Sequence, residues 1–229
     1  FELPIAMYFL ESLNLNDNCL RELDFSHVRF SSLKKLLLGN GGYRARNQLS
    51  RIKLPNALEI LQELSLSANL LGKIELSHVR MPSIKVLDLS HNELEFPDIP
   101  EELDTLEVLN LSYNCIRHLC ISKTMLKSLR DLSVGVFDYS ENNPLEDAYL
   151  PQRLLKLESI TLAHCQLTSI DFTLCSTPRL KSLSLCNTGH NLEHNKLSSL
   201  RLPNNLTVLE ELCIQNNNIS ILELSNIDL

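Results

Sequence analysis

One pattern of leucines and an asparagine repeats along almost the whole chain of 229 residues. It has the form Leu-x-x-Leu-x-Leu-x-x-Asn-x-Leu, and complete copies begin at Leu10, Leu61, Ile84, Leu106 and Leu209. A copy that begins at Leu157 has Cys165 in the Asn position. Copies that begin at Leu33, Leu129 and Leu180 keep the first part of the pattern and delay the Asn. Because one short unit cannot bury its own apolar face, these nine copies, numbered here in chain order, predict a stack of coils.

The repeated pattern resembles the leucine-rich repeat family, and the resemblance covers essentially the whole chain. It implies an α/β fold, a right-handed solenoid with a parallel β-sheet on its concave face and short helical or irregular turns on its convex face. An Asn amide can bond backbone groups of its own coil and of the neighbouring coil. We therefore expect Asn69, Asn92 and Asn114 to be buried scaffold residues, as are the repeated Leu and Ile residues.

The spacing between copies alternates between two types. The next copy begins ten positions after Leu23, Ile74, Leu119 and Ile170, and nine positions after Ile52, Pro97, Ala148 and Leu200. The shorter spacers hold Pro55, Pro100, Pro151 and Pro203, which suit the first position of a helical turn. The repeating unit is therefore predicted to be a pair of copies. Both chain ends fall inside a copy, so we expect residues 1–229 to be a single repeat domain truncated at both ends.

Composition and charge argue against two classes of protein. The chain has no apolar run of about 18 residues, so no segment is predicted to span a membrane. Its net charge of -7 argues against nucleic acid as the principal partner. Seven carboxylates and no basic residue lie between Glu93 and Glu107. We interpret this run as a solvated convex face, with an electrostatic docking patch as the alternative.

The cysteines bear on the cellular compartment. The seven cysteines are scattered through the copies, whereas extracellular members of the family usually carry clustered, disulfide-bonded caps. A cytoplasmic or otherwise intracellular location is therefore expected. An extracellular ectodomain that recognises a ligand is the alternative.

Two short motifs contain potential zinc ligands, Cys115-x-x-His118-x-Cys120 and His190-x-x-x-His194. The repeat register points the first motif outward without a fourth ligand nearby, and the second has its two His on one face only in a helical loop. Neither motif is therefore predicted to bind a metal. No glycine-rich phosphate loop follows a strand, and no nucleophile has an assignable base. We expect no enzymatic activity and no cofactor.

Three even-numbered copies carry extra residues between the strand and the Asn turn. The insertions read GNGGYRARN after Leu38, GVFDYSENN after Val134 and CNTGHNLEHN after Leu185. Because they occur at one point of the coil, we expect them to bulge from a single edge, or else to be merely tolerated surface loops. Copy four has no insertion and carries His91 there, and Tyr113 follows in copy five. The predicted partner-binding residues are Tyr43, Arg44, Arg46, His91, Tyr113, Phe137, Tyr139 and His190.

These positions predict a saddle along the edge. The loops at Tyr43 and Tyr139 should stand on the order of 20 Å apart, with His91 and Tyr113 between them. The strand positions on the concave side are small and mostly uncharged, which predicts a smooth floor. We expect a module that recognises a protein or peptide through this edge and the concave face. The alternative is the substrate-targeting part of a larger enzyme, such as a ligase or a bacterial effector, since the Leu-Pro-x-x-Leu segments resemble those of bacterial family members.

Overall fold

The computed structural model describes residues 4–39, 47–135, 144–186, 196–203 and 206–222. Within these ranges the chain forms short strands and no helix. The strands are β1 (Ser12–Asn14), β2 (Glu22–Asp24), β3 (Lys35–Leu37), β4 (Arg51–Lys53), β5 (Glu63–Ser65), β6 (Val86–Asp88), β7 (Val108–Asn110), β8 (His118–Cys120), β9 (Asp131–Ser133), β10 (Asp147–Tyr149), β11 (Ser159–Thr161), β12 (Ser169–Asp171), β13 (Ser182–Ser184), β14 (Ser199–Arg201), β15 (Glu211–Cys213) and β16 (Ile221–Leu222).

One parallel sheet collects the first strand of every copy. Its order in the described residues is β1-β3-β5-β6-β7-β9-β11-β13-β15. The pairing is in register, so that Leu64, Leu87 and Leu109 are direct neighbours in β5, β6 and β7. These middle residues are buried, and the residues on either side of them are partly exposed. Each strand therefore gives one side chain to the core and two to the concave face, as the alternation of a strand requires.

The convex side is divided into two faces with separate backbone pairing. On the second face, β2 pairs with β4, β8 with β10, and β12, β14 and β16 form a small sheet. An isolated bridge between Glu75 and Asp98 joins copies three and four on that face. The third face has only isolated bridges in the described residues, namely Ala6 to Arg29, Ala57 to Arg80, Glu102 to Met125 and Arg153 to Ser176.

Pairing on the convex faces alternates with the copy number. The second face joins copies one with two, three with four, and five with six, while the third face joins two with three, four with five, and six with seven. Among the described residues, only the small sheet of β12, β14 and β16 departs from this order, because it spans copies seven to nine. The backbone pairing thus alternates between odd-numbered and even-numbered copies, in the same order as the two spacer lengths.

The proline segments differ from the sequence prediction. Pro55, Pro100 and Pro151 were expected to begin helical turns, but no helix forms at any of them. Instead, each segment runs into an isolated bridge two residues later, at Ala57, Glu102 or Arg153, and then into a turn. Proline suits an extended segment equally well when no partner needs its missing N–H group. Of the two kinds of convex turn expected, the described residues show the irregular one.

The asparagine position connects neighbouring copies, as predicted. Nδ2 of Asn92 donates to a carbonyl of its own copy, Leu89 at 3.1 Å, and to one of the previous copy, Leu66 at 3.0 Å. Its Oδ1 accepts from an amide of the previous copy at 3.1 Å. Asn69 and Asn114 make equivalent bonds, and all three side chains are buried. These buried amides satisfy backbone groups that the strands leave unpaired.

Candidate aromatic platform on the strand-end edge

The edge that was predicted to bind lies where the strands turn toward the asparagine position. The residue directly before that position has a φ between 52 and 57° in six copies, at Asp17, Ala68, His91, Tyr113, His164 and Asn216. This left-handed conformation costs most L-residues about 1–2 kcal/mol. The hydrogen bonds of the following Asn offset that cost where they form. The turn ends each strand abruptly and sets one side chain at the edge.

His91 and Tyr113 occupy this turn in copies four and five, and their rings stack on each other. The ring centroids are 3.9 Å apart and the planes differ by 11°. His91 is exposed and Tyr113 is half-buried. The backbone N–H of His91 donates to the carbonyl of Ser112 at 2.9 Å, so the two turns are also joined through the backbone. These two predicted binding residues therefore form one aromatic platform, the name used below for His91 and Tyr113.

Concave side chains fix the two turns beneath the aromatic platform. Oδ1 of Asp88 accepts from the backbone N–H of Ser90 at 3.1 Å and from its hydroxyl at 2.7 Å. Oδ1 of Asn110 accepts from the backbone N–H of Ser112 at 3.1 Å. A short polar side chain that bonds an amide two residues later is a common way to hold a turn. The platform therefore rests on turns with a defined geometry.

A small apolar area lies at the other end of the same two strands. Val86 and Val108 are direct neighbours in the register of β6 and β7, and both are half-buried on the concave face. The flanking strands carry Glu63 and Asp131 at this position. Partial burial raises the pKa of Asp131, and the nearby Glu158 raises it further. This valine pair was not predicted, because the sequence was interpreted as a smooth floor; the two valines occupy the same position when the copies are aligned.

A row of alternating charges follows the side of the sheet where the strands begin. Glu107 lies 3.6 Å from Lys85 and 3.9 Å from Arg130. Arg130 reaches Glu158 at 2.9 Å, and Lys181 lies 3.7 Å from the same carboxylate. Exposed pairs of this kind contribute little stability individually. They neutralise most of the charge along this side of the concave face.

Six of the eight predicted binding residues lie outside the described residues, namely Tyr43, Arg44, Arg46, Phe137, Tyr139 and His190. Two glycines at the bases of the insertions are described. A Cβ atom added to Gly135 would lie 2.3 Å from the carbonyl oxygen of Ala163, and one added to Gly39 would lie 2.6 Å from Oγ of Ser67. At the start of these two insertions, the chain passes very close to the next copy, where a side chain would not fit without a shift. The sequence prediction did not assign this role to either glycine.

The residues of the first zinc-like motif have other contacts. Nδ1 of His118 lies 2.9 Å from Oδ2 of Asp147, and the sulfur of Cys120 lies 3.6 Å from the hydroxyl of Ser122. Cys115 is exposed. Throughout the described ranges, no three His, Cys, Asp or Glu side chains are grouped closely enough to hold a metal ion. His190 and His194 of the second motif lie outside those ranges.

The comparison with known families matches one copy of the repeated pattern. Residues 83–104 match the model of the family described as Leucine Rich Repeat. This segment is copy four with its strand, its Asn turn and His91. Copy four of this chain is therefore a leucine-rich repeat. The predicted family and the predicted solenoid are thereby confirmed.

Protein binding is typical of leucine-rich repeat proteins, so a protein-binding repeat module is the general function of this one. No curated protein matches this chain. In the part of the chain that the structure describes, no helix is long and apolar enough to cross a bilayer.

Proposed function

We propose that this leucine-rich repeat module binds a partner protein or peptide through the strand-end edge and the adjoining concave face. The observation that carries the proposal is the aromatic platform, because its two rings are stacked and accessible on a fixed pair of turns. Tyrosine is enriched among the residues that contribute most to protein interfaces. A preformed aromatic pair also loses little side-chain freedom on binding.

The concave side of copies four and five supports the same location. Val86 and Val108 provide apolar contact at the beginning of the two strands, and the aromatic platform provides it at their end. Asp88 and Asn110 lie between these two areas at half-buried positions. A partner segment laid along β6 and β7 would meet apolar, polar and aromatic groups in that order. This strip is the centre of the site that we propose.

The insertions extend the proposed site along the edge. Tyr43, Arg44 and Arg46 precede the strip in copy two, and Phe137 and Tyr139 follow it in copy six, with His190 in copy eight. We propose that a partner segment lies between the first two loops and contacts the aromatic platform at its middle. The basic residues of the first loop and the acidic ones of the second, Asp138 and Glu141, would set its direction.

The deciding experiment uses tyrosine variants with a matched control. The partner is first isolated from the native source by affinity capture and identified by mass spectrometry, and its Kd is then measured with purified components. Tyr113→Ala should weaken binding by about 2 kcal/mol, or about thirtyfold in Kd. The control is Tyr149→Ala, because Tyr149 is 59% exposed on the second face and away from the proposed strip. It should leave Kd unchanged.

Tyr43→Ala and Tyr139→Ala test the loops separately. A loss at either position beside the loss at Tyr113 would support the saddle. Unaltered affinity in all three variants, at unchanged melting temperature, would locate the site elsewhere and end the proposal. Equal losses for Tyr113→Ala and Tyr149→Ala would also contradict it.

We further propose an intracellular location and no catalytic role for this module. The cysteines support the location, since Cys19, Cys115 and Cys120 are exposed thiols and Cys165 is a fully buried apolar residue of the core. Burial raises the pKa of the Cys165 thiol well above its usual range, which keeps it protonated. Titration of free thiols in protein isolated without reductant tests the location. Several disulfides in that material would overturn it.

A further inference from the structure

A groove opens on the convex side between copies three and four. It consists of two hollows of about 610 and 630 Å³, which share Ser77 and His78. Residues 77–82 and 100–102 line the first hollow. Residues 72–75, Ser77 and His78 line the second, together with Glu95, Phe96 and Asp98. Hollows of this size are large enough to take side chains of a bound molecule.

The groove forms where the alternating backbone pairing leaves copies three and four unjoined on the third face. On the third face, Arg80 pairs with copy two and Glu102 pairs with copy five. No backbone hydrogen bond joins residues 77–82 to residues 99–103, all of which are described. Pro82 and Pro100 lie on the two sides and have no N–H group to donate. The opening is therefore a built feature of this pair of copies.

Both cations at the groove are already paired. Nζ of Lys73 lies 2.7 Å from Oε1 of Glu75, and Nε of Arg80 lies 3.3 Å from Oε2 of Glu59. Hydrogen bonds from the backbone N–H and the hydroxyl of Ser77, at 3.2 and 2.7 Å, occupy one carboxylate oxygen of Asp98. The carboxylates of Glu75 and Asp98 therefore each have at least one oxygen engaged within the protein.

Three further carboxylates at the groove are exposed, those of Glu95, Glu101 and Glu102. Within the described residues, none of them has an ion-pair partner within 4.0 Å. The groove consequently has a surplus of negative charge on both sides of its shared centre. A cationic ligand would neutralise this surplus charge.

Phe96 adds an aromatic surface to this negative groove. Its side chain is 64% exposed, so a bound molecule can reach the ring, whereas Phe25 and Phe172 are buried in the core. A guanidinium group can stack on an aromatic ring and at the same time bond a carboxylate with two N–H groups. A lysine ammonium group offers only a point charge. The combination favours arginine over lysine.

We propose that this groove binds an arginine-bearing, cationic segment of a protein partner, with the guanidinium groups between Phe96 and the carboxylates of Glu95, Glu101 and Glu102. The site is separate from the aromatic platform and goes beyond the function proposed above. It gives the convex side a binding role of its own, of the kind that one alternative interpretation of the acidic run implied.

The test measures binding of two fluorescein-labelled peptides, hexa-arginine and hexa-lysine, to the full chain by fluorescence anisotropy at low salt. Wild-type protein should bind hexa-arginine more tightly. Phe96→Leu keeps an apolar side chain and removes the ring, so it should weaken hexa-arginine about threefold and leave hexa-lysine nearly unchanged. Glu101→Gln/Glu102→Gln should weaken both peptides about fivefold.

A charge-matched control separates the groove from the overall charge of the protein. Glu22→Gln/Glu210→Gln makes the same change in net charge at two exposed residues outside the groove and should leave both affinities within about 1.5-fold of wild type. Equal binding of the two peptides by wild type, or equal weakening by the groove and control variants, would overturn the proposal. Tyr113→Ala should not alter peptide binding, so this test fails or succeeds independently of the platform.

Discussion

The concave sheet and the convex faces use the same parallel pairing to different extents. In the sheet, every interior strand from β3 to β13 pairs with the copies on both sides of it. On the second and third faces, most copies pair with one neighbour on each face and leave a gap toward the other. The Asn positions lie at the end of the continuous sheet, where they add bonds between copies.

Because of this difference, the concave and convex sides offer two different kinds of binding surface. The continuous sheet provides a fixed surface, on which the aromatic platform and the Val86–Val108 pair are held by adjacent strands. The convex side provides a groove at His78, where the pairing between copies three and four is interrupted. In a repeat protein, stability is close to a sum of terms between neighbours. Variants that act on one side at a time can therefore test the comparison.

The largest effect is expected at the asparagine that joins two copies. Asn92→Ala removes bonds to Leu66, Leu89 and Ser90 and leaves buried carbonyls unsatisfied. We expect a loss of about 3 kcal/mol in the free energy of unfolding, measured by urea denaturation. The control is Asn18→Ala, because Asn18 is exposed and, within the described ranges, its Nδ2 donates only to carbonyls of its own copy.

Asn18→Ala should cost about 0.5 kcal/mol. Similar losses in the two variants would mean that the bonds between copies contribute no more than those within one copy. The view of the edge as a link between neighbours would then be wrong.

The next effect concerns the close approach of the chain to the sheet edge. Gly135→Ala places a Cβ atom 2.3 Å from the carbonyl oxygen and 2.5 Å from the amide nitrogen of Ala163. Because backbone atoms cannot move aside easily, we expect a loss of about 2 kcal/mol in a urea titration. On the convex side, a Cβ added to Gly72 would lie 4.0 Å from its nearest neighbour, the carbonyl of Glu93.

Gly72→Ala should therefore be neutral or stabilise the protein by about 0.5 kcal/mol. If the Gly135→Ala protein is as stable as the wild type, the chain can shift at Gly135 without cost, and the contrast with Gly72 does not exist.

The repeat pattern predicts the core, the sheet and the asparagine turns because each is fixed by a period that can be read along the chain. It predicted helical turns at Pro55, Pro100 and Pro151 wrongly, since an isolated proline suits a helix start and an extended segment alike. The alternating spacers predicted a pair of copies, but they did not predict which neighbouring copies pair on each face. That pairing depends on hydrogen bonds between backbone segments that are distant in sequence.

The candidate site was predictable in part. Alignment of the copies placed His91 and Tyr113 at the same edge, and the left-handed turns that bring their rings together leave no composition signal. Among L-residues, His and Asn adopt such turns more readily than most, whereas Tyr does not. The groove could not be predicted, because it depends on where pairing stops. The six loop residues stay a prediction.

A smaller effect is expected at the single bridge of the second face between copies three and four. Asp98→Ala removes the two bonds from Ser77 and keeps the backbone bond from Leu76 to residue 98. We expect a loss of about 1 kcal/mol and faster hydrogen exchange at the amides of Leu76 and Ser77. The amide of Leu89, which lies in the continuous sheet pairing, should keep its protection.

The control for this bridge is Glu95→Ala, because Glu95 is exposed and has no ion pair in the described residues. It should change stability by less than about 0.5 kcal/mol. If Asp98→Ala speeds exchange equally at Leu76 and Leu89, the two sides of the protein do not open separately, and the comparison fails.

The smallest effect is a pH dependence at the end of β2. The hydroxyl and the backbone N–H of Ser26 donate to Asp24, and with help from Lys53 on β4 they lower the pKa of this carboxyl to about 2. The folded pKa is thus below the unfolded value of about 3.9. The carboxylate therefore stabilises the fold above about pH 4, and this contribution is lost as the pH falls toward about 2.

Because Asp24 and Lys53 are each about half exposed, solvent screens the interaction, and we expect the contribution to be only about 0.5 kcal/mol. Unfolding free energies of wild type and Asp24→Asn, measured at intervals from pH 5 to pH 2, should converge at the acid end. Ser26→Ala removes the largest cause of the shift and keeps the backbone N–H, so its curve should lie between the other two. Parallel curves for all three proteins would show that Asp24 does not couple β2 to pH, and that this end of the second face is held by backbone pairing with β4 alone.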